Sequence, residues 1–141
     1  MKITKPSLVA KKHFFTIAFI SWMVFITFSS LYSFEDVSVP KMKIPHLDKA
    51  VHFTFYFVAC VLGIFFLRER SRGEMSFRKA LLIMLVSTIA FGIFIEVLQH
   101  ALTFNRQGDY LDGIANSMGS LCGAWASKVY FSGKRQLKWK Y

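Results

Sequence analysis

The chain alternates between long uncharged runs and short charged ones. No residue from Phe14 to Phe34 is formally charged, a run of 21 positions. A second run, Ala50 to Leu67, is interrupted only by His52 near its start. A third covers about 80–100 and contains Glu96, and a fourth covers about 110–131 with Asp112 and Asn116 in its first two turns. Since about 18 apolar residues, each rising about 1.5 Å, cross a hydrocarbon core of roughly 30 Å, the pattern predicts four membrane-spanning helices. The expected fold is all-α: an integral membrane four-helix bundle forming one domain over 14–131, between a basic N-terminal segment at 1–13 and a basic tail at 132–141.

Composition points the same way. With 54% hydrophobic and 17% aromatic residues, only 18% charged, and a mean hydropathy of +0.40, the 141-residue chain is too apolar for a soluble domain of its size. Disorder, collagen, coiled coil and secreted disulfide scaffold are excluded as well. Cys60 and Cys122 both fall inside the apolar runs, where a thiol packs as a small hydrophobe. A signal peptide is disfavoured: basic residues precede the first run, but the run is long and no Ala-x-Ala follows it.

The net charge of +10 is distributed unevenly. Lys and Arg number fourteen before Phe14, in the middle loop and from Lys128 onward together, against four in the other two loops. The positive-inside rule therefore predicts both termini in the cytoplasm, with the basic face against anionic lipid headgroups. The run Arg68-Glu69-Arg70-Ser71-Arg72 reads as a topogenic loop rather than a nucleic-acid patch, and no nucleic-acid partner is expected. Trp125, Tyr130, Trp139 and Tyr141 fall at the inner interface and Tyr32 and Tyr110 at the outer one, as anchors.

Nearly every polar residue inside the runs lies at its outward end. Asp48, His52 and Tyr56 are spaced by four and share one helical face, followed through Lys49 by a basic neighbour. Glu96 and Gln99, with His100 beside them, form a second stripe, and Asp112, Asn116 and Ser120 a third, with Arg106 and Asp109 just before it. Ionisable groups are costly in hydrocarbon and face a bundle interior or water, so the stripes are expected to converge on an outward-open pocket. Asp48, Asp109 and Asp112 also suit simple N-terminal capping. Glu96 does not, because it sits near the C-terminal end of its helix, where dipole and desolvation both oppose a negative charge; either it is protonated, or Arg106, Lys49 or His52 holds it. Gln99 and Asn116 suit hydrogen bonds between helices as well as ligand binding. His46 and His100, at loop edges, read as uninvolved.

Ala115, Gly119, Gly123 and Ser127 recur at intervals of four, a small-residue face for close helix packing within the monomer or across a homodimer. The shared Asp-x3-His/Asn openings at Asp48 and Asp112 hint at a duplicated hairpin.

The ordered set Asp48-Lys49-x-x-His52-x3-Tyr56, Gly92-x3-Glu96-x-x-Gln99 and Arg106-x-x-Asp109-x-x-Asp112-x3-Asn116-x-x-Gly119 resembles the VanZ-like family of small integral membrane proteins. The resemblance covers roughly half the chain, and Trp22 and Ser29 fit it loosely. Asn105 departs from it, where proline is common before the arginine. The family's named member is associated with low-level resistance to teicoplanin, an antibiotic acting on cell-wall precursors outside the membrane. The resemblance thus implies a place and a process, antibiotic resistance at the cell envelope, rather than a reaction.

From the residues, the outer cluster offers carboxylates, an imidazole, two cations and two helix N-termini. Glu96 and His52 are candidate catalytic acid and base, and Asp48, Lys49, Tyr56, Gln99, Arg106, Asp109, Asp112 and Asn116 candidate ligand-binding residues, with Arg106 as an anion clamp. The expected ligand is an outer-leaflet envelope lipid or precursor, or a glycopeptide that targets one. A divalent cation bridging to a phosphate is a secondary option, since no HExxH-like pair fixes ligand geometry. Whether the protein is an enzyme stays open. The alternative is a scaffold or accessory subunit whose polar cluster is structural and whose interface is the Gly119 and Gly123 face. An ion pathway is disfavoured because the inner halves of the runs carry few polar groups.

Overall fold

The computed structural model describes residues 13–32, 46–102 and 109–132. They form four α-helices: α1 (Phe14–Leu31), α2 (Leu47–Arg70), α3 (Phe77–Leu102) and α4 (Tyr110–Ser132). α1, α2 and α3 are long and apolar enough to cross a membrane. α4 is long enough too, but its small and polar residues leave it less apolar. Helices α2 and α3 overrun the uncharged runs at both ends, since helical hydrogen bonding does not stop where charge begins, whereas α1 ends three residues before Phe34.

Each helix buries the stripe its spacing dictates. On α2 that stripe is His52, Tyr56, Ala59, Cys60, Gly63 and Ile64; on α3 it includes Ala80, Met84, Thr88, Gly92, Ile95 and Gln99. α4 buries Asn116, Gly119, Ser120, Gly123, Ala124 and Ser127. α2 is the hub and touches every other helix, most extensively α4. Gly119 and Gly123 set that contact. Their Cα atoms lie so close to the α2 backbone that a Cβ on Gly123 would stand 2.7 Å from the Phe57 carbonyl oxygen, and one on Gly119 would overlap that of Phe53. The small-residue face is therefore packed within the monomer. Large apolar side chains such as Phe28, Leu82, Val97 and Trp125 point outward in a way water would penalise and lipid would not.

The core divides by depth. Cys60, Ile64, Phe77, Ala80, Met84, Ala124 and Phe131 pack together toward one end of the bundle. The buried polar residues His52, Gln99 and Asn116 gather toward the other, where α1 and α3 finish and α2 and α4 begin. α1 is apolar around its whole circumference and is fixed by specific ties rather than by an amphipathic face. The Trp22 indole donates to the Phe55 carbonyl at 3.0 Å, Phe15 stacks on Phe65, and Phe19 stacks on Phe66.

Glu69, at the far end of α2, caps the start of α1. Its carboxylate accepts from the backbone N–H groups of Phe15 (2.9 Å) and Thr16 (3.0 Å) and from the Thr16 hydroxyl (2.6 Å). His13, the N-cap residue of α1, makes no such bond with its own side chain. Glu69→Ala orphans these donors, so we expect a stability loss of about 2 kcal/mol, read as a lower melting temperature in mild detergent. Glu69→Gln, which retains acceptor oxygen, is expected to lose less than half as much.

Candidate functional site

The acid-rich end holds two connected groups of side chains. The outer group centres on Lys49, in the first turn of α2. Its Nζ donates to Asp48 Oδ2 at 2.9 Å, Asp112 Oδ1 at 2.7 Å and Asp109 Oδ2 at 2.5 Å. Of the three candidate caps, Asp109 performs that role: its Oδ1 accepts from Leu111 N at 2.9 Å, just ahead of α4. Asp48 and Asp112 both turn to Lys49. Lys49 is thus surrounded by carboxylates. Arg106, the expected anion clamp, lies outside the described residues, as do Asn105 and most of both basic terminal segments.

The hydrogen bond from Lys49 holds the Asp109 carboxyl below the usual carboxylate range. This attraction is fully present above the ordinary aspartate pKa of about 3.9 and fades as pH falls through the lowered value. Lys49→Met should reverse the balance, since the three aspartates then only repel one another. At pH 7 we expect a melting temperature lower by roughly 5 °C, with the gap to wild type closing as acid protonates the carboxylates. A gap that widens in acid would contradict this account.

One turn deeper, three helices meet. His52 from α2 places Nδ1 3.1 Å from Asn116 Oδ1 on α4 and 3.6 Å from Glu96 Oε1 on α3. Asn116 Nδ2 donates to that same Glu96 oxygen at 3.2 Å. With the amide NH2 committed to Glu96, the Asn116 carbonyl accepts, so His52 Nδ1 carries the proton. Of the two described residues expected beside Glu96, His52 faces it and Lys49 belongs to the aspartates.

The floor of the site is polar and tightly packed. The Tyr56 ring crosses Gly92, one turn below Glu96, where an added Cβ would meet Tyr56 Cε1 and Asn116 Cβ at 3.1 Å each. Tyr56 is 1% exposed and its hydroxyl has no hydrogen-bond partner among the described residues; the same holds for the buried Ser120 Oγ, one turn below Asn116. Gln99 reaches across to α1. Its Nε2 donates to the Ser30 carbonyl at 2.6 Å, tying α3 to the end of α1.

A cleft of about 370 Å³ opens beside the cluster between α3 and α4, lined by Ile93, Glu96, Val97, His100, Asp109, Tyr110 and Gly113. Its walls are chiefly apolar, and its polar head is Glu96 with Asp109. His100, read as uninvolved, lies on this wall. Sequence periodicity missed the cleft because Ile93, Val97 and Tyr110 look like ordinary lipid-facing positions. Glu69 was also missed, although an acid within the basic half of the chain is a signal that could have found it.

No family model, curated protein or solved structure matches the chain. The chemistry of the site therefore rests on its own geometry. It combines a carboxylate–amide–imidazole chain suited to proton transfer or ligation, an acidic rim, and an apolar groove leading away from both.

Proposed function

We propose that the chain is a VanZ-like multi-pass protein of the bacterial cytoplasmic membrane, with both termini cytoplasmic, α4 crossing with the other helices, and the acid-rich end outward. That end binds the headgroup of a cell-envelope lipid or lipid-linked precursor, with the apolar part of the ligand along the α3–α4 cleft. One observation carries this reading: His52, Glu96 and Asn116, drawn from three helices, meet at the polar head of an apolar groove. Ionisable side chains are costly at such depth and are commonly retained for function. The orientation is supported by fourteen basic residues on one side against four on the other. If the ligand is chemically modified, Glu96 and His52 are the pair placed to move a proton. Teicoplanin tolerance would follow from masking or altering the precursor that the drug recognises.

A scaffold role has one observation in its favour, the closed hydrogen-bond chain through Asn116. Gly119 and Gly123 already lie against α2, however, so a partner or a second copy would need another face.

The test fills the groove. Ile93→Trp projects bulk into the cleft without touching the polar chain. By native mass spectrometry, with phosphatidylglycerol and a polyprenyl phosphate as probes, wild type should retain one lipid per chain and Ile93→Trp at least fivefold less, at an unchanged melting temperature. Equal retention by both proteins would count against the proposal and leave the scaffold ahead.

A further inference from the structure

We propose that His52, Glu96 and Asp112 form a binding site for a divalent transition-metal ion. Each offers one ligand atom, and the three atoms lie within 4.8 Å of one another. Zinc binds imidazole nitrogen and carboxylate oxygen at about 2.0–2.2 Å, which in a tetrahedral set separates ligand atoms by roughly 3.4 Å. The ligand atoms stand no more than 4.8 Å apart, so the remaining closure is within reach of side-chain rotation.

Four further features fit an ion better than a closed structural network. First, the surroundings are acidic: among the described residues, Asp48, Asp109 and Asp112 share one ammonium, that of Lys49. Second, Asn116 accepts the His52 Nδ1 proton, leaving the Nε2 lone pair available, which is how outer-shell carbonyls prepare metal-ligating histidines. Third, Asp112 binds Lys49 through Oδ1 and retains its other oxygen. Fourth, the Tyr56 hydroxyl is buried without a partner among the described residues, and its side chain leans toward the start of α2, the end that holds the cluster. It is placed to donate to a water or anion on the ion. One nitrogen and two carboxylate oxygens favour zinc or manganese over magnesium, which prefers an all-oxygen octahedron.

Such an ion explains how an acidic site could hold a lipid phosphate, by bridging to it. This use rests on the lipid-binding proposal, whereas the metal itself stands on the side-chain cluster alone.

The test uses the purified full chain in detergent, stripped with chelator and titrated calorimetrically with Zn2+. One ion per chain is expected, weakened at least tenfold in both His52→Ala and Asp112→Asn and unchanged in His100→Ala. Helical circular dichroism and melting temperature verify folding. If His52→Ala does not fold, Asp112→Asn, at the more exposed edge, carries the comparison. Wild type alone supplies a further measure, since Co2+ in the site should show the visible absorption of a four- or five-coordinate ion. Absence of saturable Zn2+ binding to wild type, or binding that survives Asp112→Asn, overturns the proposal. Lipid retention with no saturable Zn2+ binding sinks the metal alone, and zinc binding without lipid retention sinks the lipid reading alone.

Discussion

Gly119→Ala is expected to destabilise the bundle by about 3 kcal/mol, more than any other single-methyl change in α4. The added Cβ would overlap the Phe53 carbonyl of α2, and backbone cannot rotate away as a side chain can. The helices must then separate along their largest interface, and every contact below Gly119 loosens with them. Gly113, on the same helix, provides the control. Nothing lies within 4 Å of a Cβ added there, so Gly113→Ala should be neutral or stabilising by up to about 1 kcal/mol through helix propensity. Gly63→Ala tests the same physics from another side, because its added Cβ meets the flexible Met84 thioether and should cost less than Gly119→Ala. Melting temperatures of the three variants in one detergent suffice. Equal losses at Gly119 and Gly113 would mean that helix propensity, not close packing, governs this face.

Glu96→Gln is expected to do the opposite: to leave stability at or above the wild-type level and to reduce lipid retention about tenfold or more. Glutamine preserves the shape and keeps the oxygen that accepts from Asn116 Nδ2. It removes a charge that the C-terminal end of α3 and the nearby Asp112 carboxylate oppose, at the cost of a 3.6 Å approach to His52. A charge-assisted contact to a ligand is worth about 1.5–3 kcal/mol, which corresponds to roughly tenfold or more in affinity. The pairing of unchanged melting with lost binding separates a site from a strut. A fall of several degrees would make Glu96 a structural tie and move the scaffold reading ahead.

The two variants also divide what could be read from the chain and what could not. Uncharged runs and the spacing of polar residues place four helices and their buried stripes, because helical period and the cost of charge in hydrocarbon are local properties written into residue order. The same spacing places His52, Glu96 and Asn116 at one depth, and Gly119 and Gly123 on a packing face. Tertiary structure alone decided the pairings. Lys49 could have served Glu96 or an anion, and only the approach of α4 to α2 delivered it to Asp109 and Asp112. Gln99 shared a stripe with Glu96, yet the position of α1 turned it to the Ser30 carbonyl. The Glu69 cap on α1 and the α3–α4 cleft likewise depend on which helices are neighbours. Periodicity fixes the face on which a residue lies, but its partner is set by helix order, tilt and separation, which arise from the packing of all four helices together.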